Sequence, residues 1–171
     1  MENVVSQGSH PSLKEQRPFQ RRFVICGSMA FAPQMERIAQ HFAERDILAI
    51  PPDDVDLTAE YGTQAEYNRF KRGASIAHIR KIRDPRTIGI LVANFEKHGR
   101  RSYIGPNSFA EIAIAFAGRK RVFVLDGIPR DYADELNAWG VVDLKGNLDT
   151  ACDLYREICL KDRKQLKLPW S

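Results

Sequence analysis

Two apolar runs, TIGILVA at 87–93 and RVFVL at 121–125, flank a stretch that holds one loop and one helical pattern. A strand, a helix and a second strand in that order close as a βαβ crossover, which makes the two strands parallel members of one sheet. The same alternation runs through the chain. Residues 23–26 (FVIC) read as a first strand, followed by a helix from near Pro33 with Met35, Ile38, Ala39 and Phe42 on its apolar face. Residues 47–50 form a second strand, stopped by Pro51-Pro52. A long helix over 63–82 follows, with Ile76, Ile79 and Ile82 stepping by three, and Asp84-Pro85 closes it. Beyond 125 come a short helix (132–139), a strand (141–144) and a last helix (148–160) capped by Asn147 or Asp149. Five strands alternating with five helices specify an α/β doubly wound parallel sheet, with 2-1-3-4-5 the expected order. In that order the crevice for a ligand lies at the carboxyl ends of strands one and three.

At 171 residues and 43% hydrophobic content the chain is sized for one domain, expected over 22–160, with a flexible leader at 1–21 and a basic tail at 161–171. The net charge of +4 belongs to the ends: residues 1–22 carry +2 (four cations, two carboxylates) and residues 161–171 carry +3 (four cations, one carboxylate), leaving 23–160 at −1. A basic groove on the body is therefore not expected, and nucleic acid is not the expected partner. No apolar run approaches a membrane span and the N-terminus is polar, so a cytoplasmic protein without a membrane partner is expected. Cys26, Cys152 and Cys159 form no C-x-x-C, and read as free thiols. The acidic loop Asp53-Asp54-Val55-Asp56 reads as a turn, and His78 as a surface or satisfied residue, so neither a metal site nor a cofactor is expected.

Two loops meet at the expected crevice. Gly27-Ser28-Met29 follows the first strand and precedes a helix, the arrangement in which free amides and the helix dipole face a phosphate or carboxylate. Residues 95–107 form a long aperiodic loop containing Lys97, His98, Arg100, Arg101, Tyr103 and Gly105, suited to cover a ligand with a ring and an anionic group. Glu111 opens the helix after this loop. Phe109, Ile112, Ala113 and Phe116 mark that helix's sheet-facing stripe, and Glu111 lies off it. Ser108-x-x-Glu111 also fits a capping box, as does Thr63-x-x-Glu66, so a purely structural role for Glu111 stands beside the functional one. At a helix start the dipole is expected to lower the carboxyl pKa, suiting it to act as a nucleophile or charge stabiliser. Such a group can trap an oxocarbenium-like carbon, which makes glycosyl cleavage the natural chemistry. Phosphoryl transfer, dinucleotide binding and serine hydrolysis lack G-x-x-x-x-G-K-[ST], G-x-G-x-x-G and G-x-S-x-G respectively.

These residues carry a resemblance. Val24-Ile-Cys-Gly-Ser-Met29, the strand end at Asn94, and Gly105-x-Asn-x-x-x-Glu111-x-x-x-Ala115-Phe-Ala-x-x-Lys120 resemble the nucleoside 2-deoxyribosyltransferase-like family, which includes 2'-deoxynucleoside 5'-phosphate N-hydrolases. The resemblance spans about residues 23–145. It implies a flavodoxin-like fold, a homo-oligomer, a small-molecule nucleoside or nucleotide substrate, and N-glycosidic cleavage through a covalent glycosyl-Glu111 intermediate. Gly27, Ser28 and Met29 would then line the sugar or phosphate pocket, with Gly105, Asn107 and Ser108 at the sugar. Asn94 stands where family members place an aspartate; an amide can position a hydroxyl but cannot protonate a leaving base. Protonation would fall to His98, Tyr103 or Asp84, or the base would leave as an anion. Two alternatives remain at this stage: a non-catalytic nucleotide sensor and a nucleic-acid accessory protein using the basic ends.

Overall fold

The computed structural model describes residues 20–53 and 60–166, with the side chains of 163–166 excepted. Residues 1–19 of the expected leader, the Asp54 and Asp56 part of the acidic loop, and residues 167–171 of the basic tail lie outside the described residues. Five parallel strands, β1 (Arg22–Gly27), β2 (Leu48–Ile50), β3 (Thr87–Ala93), β4 (Arg121–Val124) and β5 (Val142–Asp143), form one sheet in the order β2-β1-β3-β4-β5. The helices are α1 (Ala32–Ala43), α2 (Gln64–Arg83), α3 (Pro106–Ala117), α4 (Ala133–Ala138) and α5 (Asp149–Leu166), with 3-10 turns at Met29–Phe31 and Arg130–Tyr132. This is the α/β, flavodoxin-like doubly wound architecture. Among the described residues no helix is long and apolar enough to cross a membrane.

Alternation along each strand divides the core in two. Phe23, Ile25, Leu91, Ala93 and Phe123 face α1 and α5, where they meet Met35, Phe42, Ala151 and Tyr155. Val24, Cys26, Ile90, Val92 and Val124 face the other way, against Ile82, Ile112, Ala115 and Leu136. At about 25 cal/mol per Å², each fully buried Val, Leu, Ile, Phe or Met side chain among these contributes roughly 1.5–3 kcal/mol.

Thr63 caps α2 in a reciprocal box with Glu66, and Asp84 ends the helix before Pro85. Asn147 accepts from the Asp149 amide at the start of α5. That helix runs on to Leu166, past the expected 160, and Arg21 pairs with its Asp162 at 2.6 Å. Residues read as leader and tail thus touch each other.

Two helical stripes differ from the sequence expectation. The buried positions of α3 are Ser108, Ile112 and Ala115; of the expected stripe Phe109, Ile112, Ala113 and Phe116, only Ile112 is buried. Phe109 stacks on Tyr132 at 4.5 Å between ring centroids, and Phe116 on Trp139 at 5.1 Å. The large rings pack toward the next βα unit, so α3 turns its small residues and Glu111 inward. In α2 the buried pair is His78 and Ile82, an i, i+4 step, while Ile76 is exposed.

Candidate functional site

The turn after β1 is shaped by close approach. A Cβ on Gly27 would stand 3.1 Å from the Ala93 carbonyl oxygen and 3.2 Å from Met35 Sδ, so a bare backbone is what lets β1 end against β3. Ser28 Oγ accepts from the Ala30 amide at 3.4 Å and from Lys97 Nζ at 2.8 Å. Met29 is half-buried against the α1 and α5 side of the core. In the loop after β3, the backbones of Lys97 and Arg100 exchange hydrogen bonds around His98 and Gly99, which have left-handed φ of 53° and 70°. Lys97 Nζ lies 5.4 Å from the Tyr103 ring centroid, and the His98 ring meets Tyr103 edge-on at 6.1 Å. Gly105 backs onto the Tyr103 hydroxyl, which a Cβ there would approach to 3.3 Å. Ser28, His98, Tyr103 and Gly105 therefore form one group, Ser28 tied to Tyr103 through Lys97 and the other two packed on Tyr103 itself. Tyr103 also lines a hollow of about 270 Å³ with Arg100, Arg101 and Arg130, and Glu111 does not line it. Asn107 is exposed in the first turn of α3; Ser108 is buried.

Asn94 is otherwise employed. It is buried, its amide nitrogen donates to the carbonyls of Asp126 and Gly127 at 3.0 and 2.7 Å, and its oxygen accepts from the Asp126 amide at 2.9 Å. Both donors of the amide are used, so Asn94 fastens the loop after β4 to the end of β3 and has no N–H left for a sugar hydroxyl.

Glu111 does not cap α3. The helix begins at Pro106 with Gly105 as its N-cap and no side-chain cap, which places Glu111 in the second turn and Ser108 inside the helix. The Glu111 side chain is 16% exposed and faces two groups that neither spacing nor motif singled out as partners. Cys26 Sγ and His78 Nε2 are 3.5 Å apart, and His78 Nε2 is 3.9 Å from Glu111 Oε1. All three donor atoms lie within 4.8 Å of one another. They come from β1, α2 and α3, at the carboxyl end of β1. The reading of His78 as a surface residue is overturned, since it is buried; its Nε2 meets the Cys26 thiol and the ring also interacts with the Ile25 backbone, while its Nδ1 makes no hydrogen bond of good geometry among the described residues. The usable signal for it was the i, i+4 pairing with Ile82, and for Cys26 the position one residue before Gly27 on the face shared with Val24.

The electrostatics follow from burial. Glu111 is pushed up to about 7 by desolvation, opposed by a hydrogen bond with the Cys26 thiol, which reverses the lowered pKa expected from a helix start. Burial, reinforced by Lys81, holds His78 at about 4. The Cys26 thiol is driven well above its usual range by burial and then by the Glu111 charge. Near neutral pH the cluster is thus a neutral imidazole, a neutral thiol and a half-ionised carboxyl with no cation against it among the described residues. Such a carboxyl is a base or nucleophile when ionised and an acid when protonated.

Asp84, a sequence candidate for proton donor, sits at the other end of the sheet. It bonds Arg86 at 2.7 Å and Arg22 at 3.0 Å. Its hydrogen bonds with Arg86 keep it far below the usual carboxylate range, so it carries no proton to donate at neutral pH. Compared with known proteins, the chain matches no family model and no curated sequence.

Proposed function

We propose that this protein cleaves the bond between base and sugar in a nucleoside or nucleotide, by hydrolysis or transfer to another base, with Glu111 as nucleophile. The observation that carries the reading is the carboxyl itself: it is largely buried at the carboxyl end of the central strand, beside uncharged Cys26 and His78. A carboxylate without a compensating cation keeps its basicity, and an electron-poor anomeric carbon is the kind of centre it attacks. As the bond from a Glu111 oxygen to that carbon forms, the carbon–nitrogen bond breaks and its electron pair leaves with the base. The base takes a proton from His98 or Tyr103, or departs as an anion. Water or an acceptor base then displaces the sugar from Glu111.

Further support comes from the resemblance of the Gly105 to Lys120 stretch and of Cys26-Gly27-Ser28 to nucleoside 2-deoxyribosyltransferase-like proteins, a family reading that also implies a homo-oligomer. The hollow beside Tyr103 holds Arg101 and Arg130 besides Arg100, which Asp131 pairs at 3.6 Å, and so suits a ring that carries an anionic group. A second reading, a nucleotide sensor that binds without cleaving, is favoured by one observation: Asn94 has no free donor and no carboxyl to assist a leaving base.

The test is release of free base from ribo- and deoxyribonucleosides and their 5'-monophosphates, with and without an acceptor base. Glu111→Ala is expected to lower release by roughly 10³-fold or more while its circular dichroism stays native. Tight binding of one of these compounds without release by the native protein would establish the sensor reading instead.

A further inference from the structure

We propose that Cys26, His78 and Glu111 bind a zinc ion, and that the bound ion ties up the Glu111 carboxylate and switches base release off. The metal site stands on the geometry of the trio; its effect on base release rests on the reading of Glu111 given above.

The donor atoms are a sulfur, an imidazole nitrogen and a carboxylate oxygen, a set suited to zinc rather than to magnesium or calcium, which take oxygen ligands. Their spacing is also close to what zinc requires. With bonds of about 2.3 Å to sulfur and about 2.0–2.2 Å to nitrogen and oxygen, neighbouring ligands of a tetrahedral ion stand about 3.4–3.6 Å apart. The sulfur–nitrogen separation is 3.5 Å, the nitrogen–oxygen separation 3.9 Å and the sulfur–oxygen separation no more than 4.8 Å, so three corners are formed by drawing the donors together around the ion. Three separate elements supply the donors, and each is fixed by the core around Val24, Ile82 and Ile112. Charge balances as well. The Cys26 thiol, and Glu111 where it is protonated, release their protons to solvent, and the resulting thiolate and carboxylate neutralise the dication. The buried cluster is then uncharged overall, which is the condition for a low-dielectric site. Three protein ligands leave a fourth position for solvent.

A second trio, His41, Asp149 and Cys152, also falls within 4.8 Å. Its carboxylate is 65% exposed and lies 3.9 Å from Arg45, so a cation there competes with solvent and with an existing ion pair. Cys152 therefore supplies the control.

The experiment uses the full chain, reduced and freed of metal by chelation, titrated with zinc against a chromophoric chelator. One equivalent is expected to bind, with affinity falling at least tenfold in Cys26→Ser and in His78→Gln and unchanged in Cys152→Ser. Cobalt(II) in the native protein is expected to give a thiolate charge-transfer band, a readout that depends on no variant folding. Failure of the native protein to bind zinc, equal binding by native protein and Cys26→Ser, or absence of that band overturns the site. One equivalent of zinc is expected to abolish base release and chelation to restore it; release that continues with the trio occupied overturns the switch. If the native protein releases no base in any state, the glycosidic reading falls, and the zinc titration still decides the site.

Discussion

The two ends of β1 treat buried polar groups in opposite ways. At its amino end, Arg22 bonds Asp84 at 3.0 Å and the Thr87 hydroxyl at 3.1 Å, and that hydroxyl donates to the Lys81 carbonyl at 2.7 Å. Lys120 closes the same group by donating to the carbonyls of Asp84 and Thr87 at 3.1 and 2.6 Å. Four residues later, Cys26 opens onto His78 and Glu111, where a carboxyl has no cation and a ring nitrogen makes no hydrogen bond of good geometry among the described residues. The first end is an arrangement in which charges satisfy one another and hold strands β1 and β3 to α2. The second keeps an acid at about 7 at a cost to folding, because burial is not offset there by an opposite charge.

The largest expected effect separates the ends by sign. Asp84→Ala should destabilise the protein by about 3–5 kcal/mol, because Arg22 is left buried without its counterion. It should appear in urea unfolding as a lower midpoint with an unchanged slope. Glu111→Gln should do the reverse above pH 7. Its carboxyl moves from 4.5 to about 7 on folding, so ionising it in the folded state costs roughly 3 kcal/mol, and the neutral amide recovers most of that. A destabilised Glu111→Gln at pH 8 would erase the contrast.

The pH dependence sharpens it further, in metal-free protein. Between about 4.5 and 7 the folded state holds a proton on Glu111 that the unfolded chain has lost, so this group's contribution falls as pH rises. His78 moves the other way. Between 6.5 and about 4 the unfolded chain is protonated and the folded protein is not, so stability falls as pH drops. In the native protein the two slopes oppose each other over the shared window. His78→Gln should leave stability declining from about pH 4.5 to 7, and Glu111→Gln should leave it rising over about pH 4 to 6.5. Urea midpoints measured across that range distinguish the two.

Smaller effects test what the sequence made legible. The doubly wound sheet could be read because strand runs, helical periods and breakers agree locally, and Thr87–Ala93 needed no correction. The Glu111 neighbourhood was only half legible. The stripe in α3 was assigned to its largest apolar residues, whereas Phe109 and Phe116 cover Tyr132 and Trp139 and leave the inner face to Ser108, Glu111 and Ala115. A period of 3.6 identifies a helix but does not say which neighbour each ring prefers. His78 and Cys26 were obscure for the same reason, since their meeting depends on how α2 and α3 sit over β1. Asn94 was placed correctly at the end of β3, but its hydrogen bonds to residues 126 and 127 depend on packing distant in sequence. Asn94→Asp, which replaces two donors with an acceptor, should cost about 2 kcal/mol in a urea titration and should not raise base release. Thr63→Ala should cost about 1 kcal/mol, as expected of the capping box that does form, whereas the Ser108 to Glu111 pair does not cap.

The measurement closest to the central claim is a site-resolved titration of both carboxyls in one sample, following the side-chain carbons of Glu111 and Asp84 by NMR in the metal-free protein. Glu111 is expected to titrate at about 7, while Asp84 remains ionised well below the usual carboxylate range. A Glu111 carboxyl that titrates near 4.5, like a solvated glutamate, would contradict the account of this end of β1 as a site held apart from compensating charge.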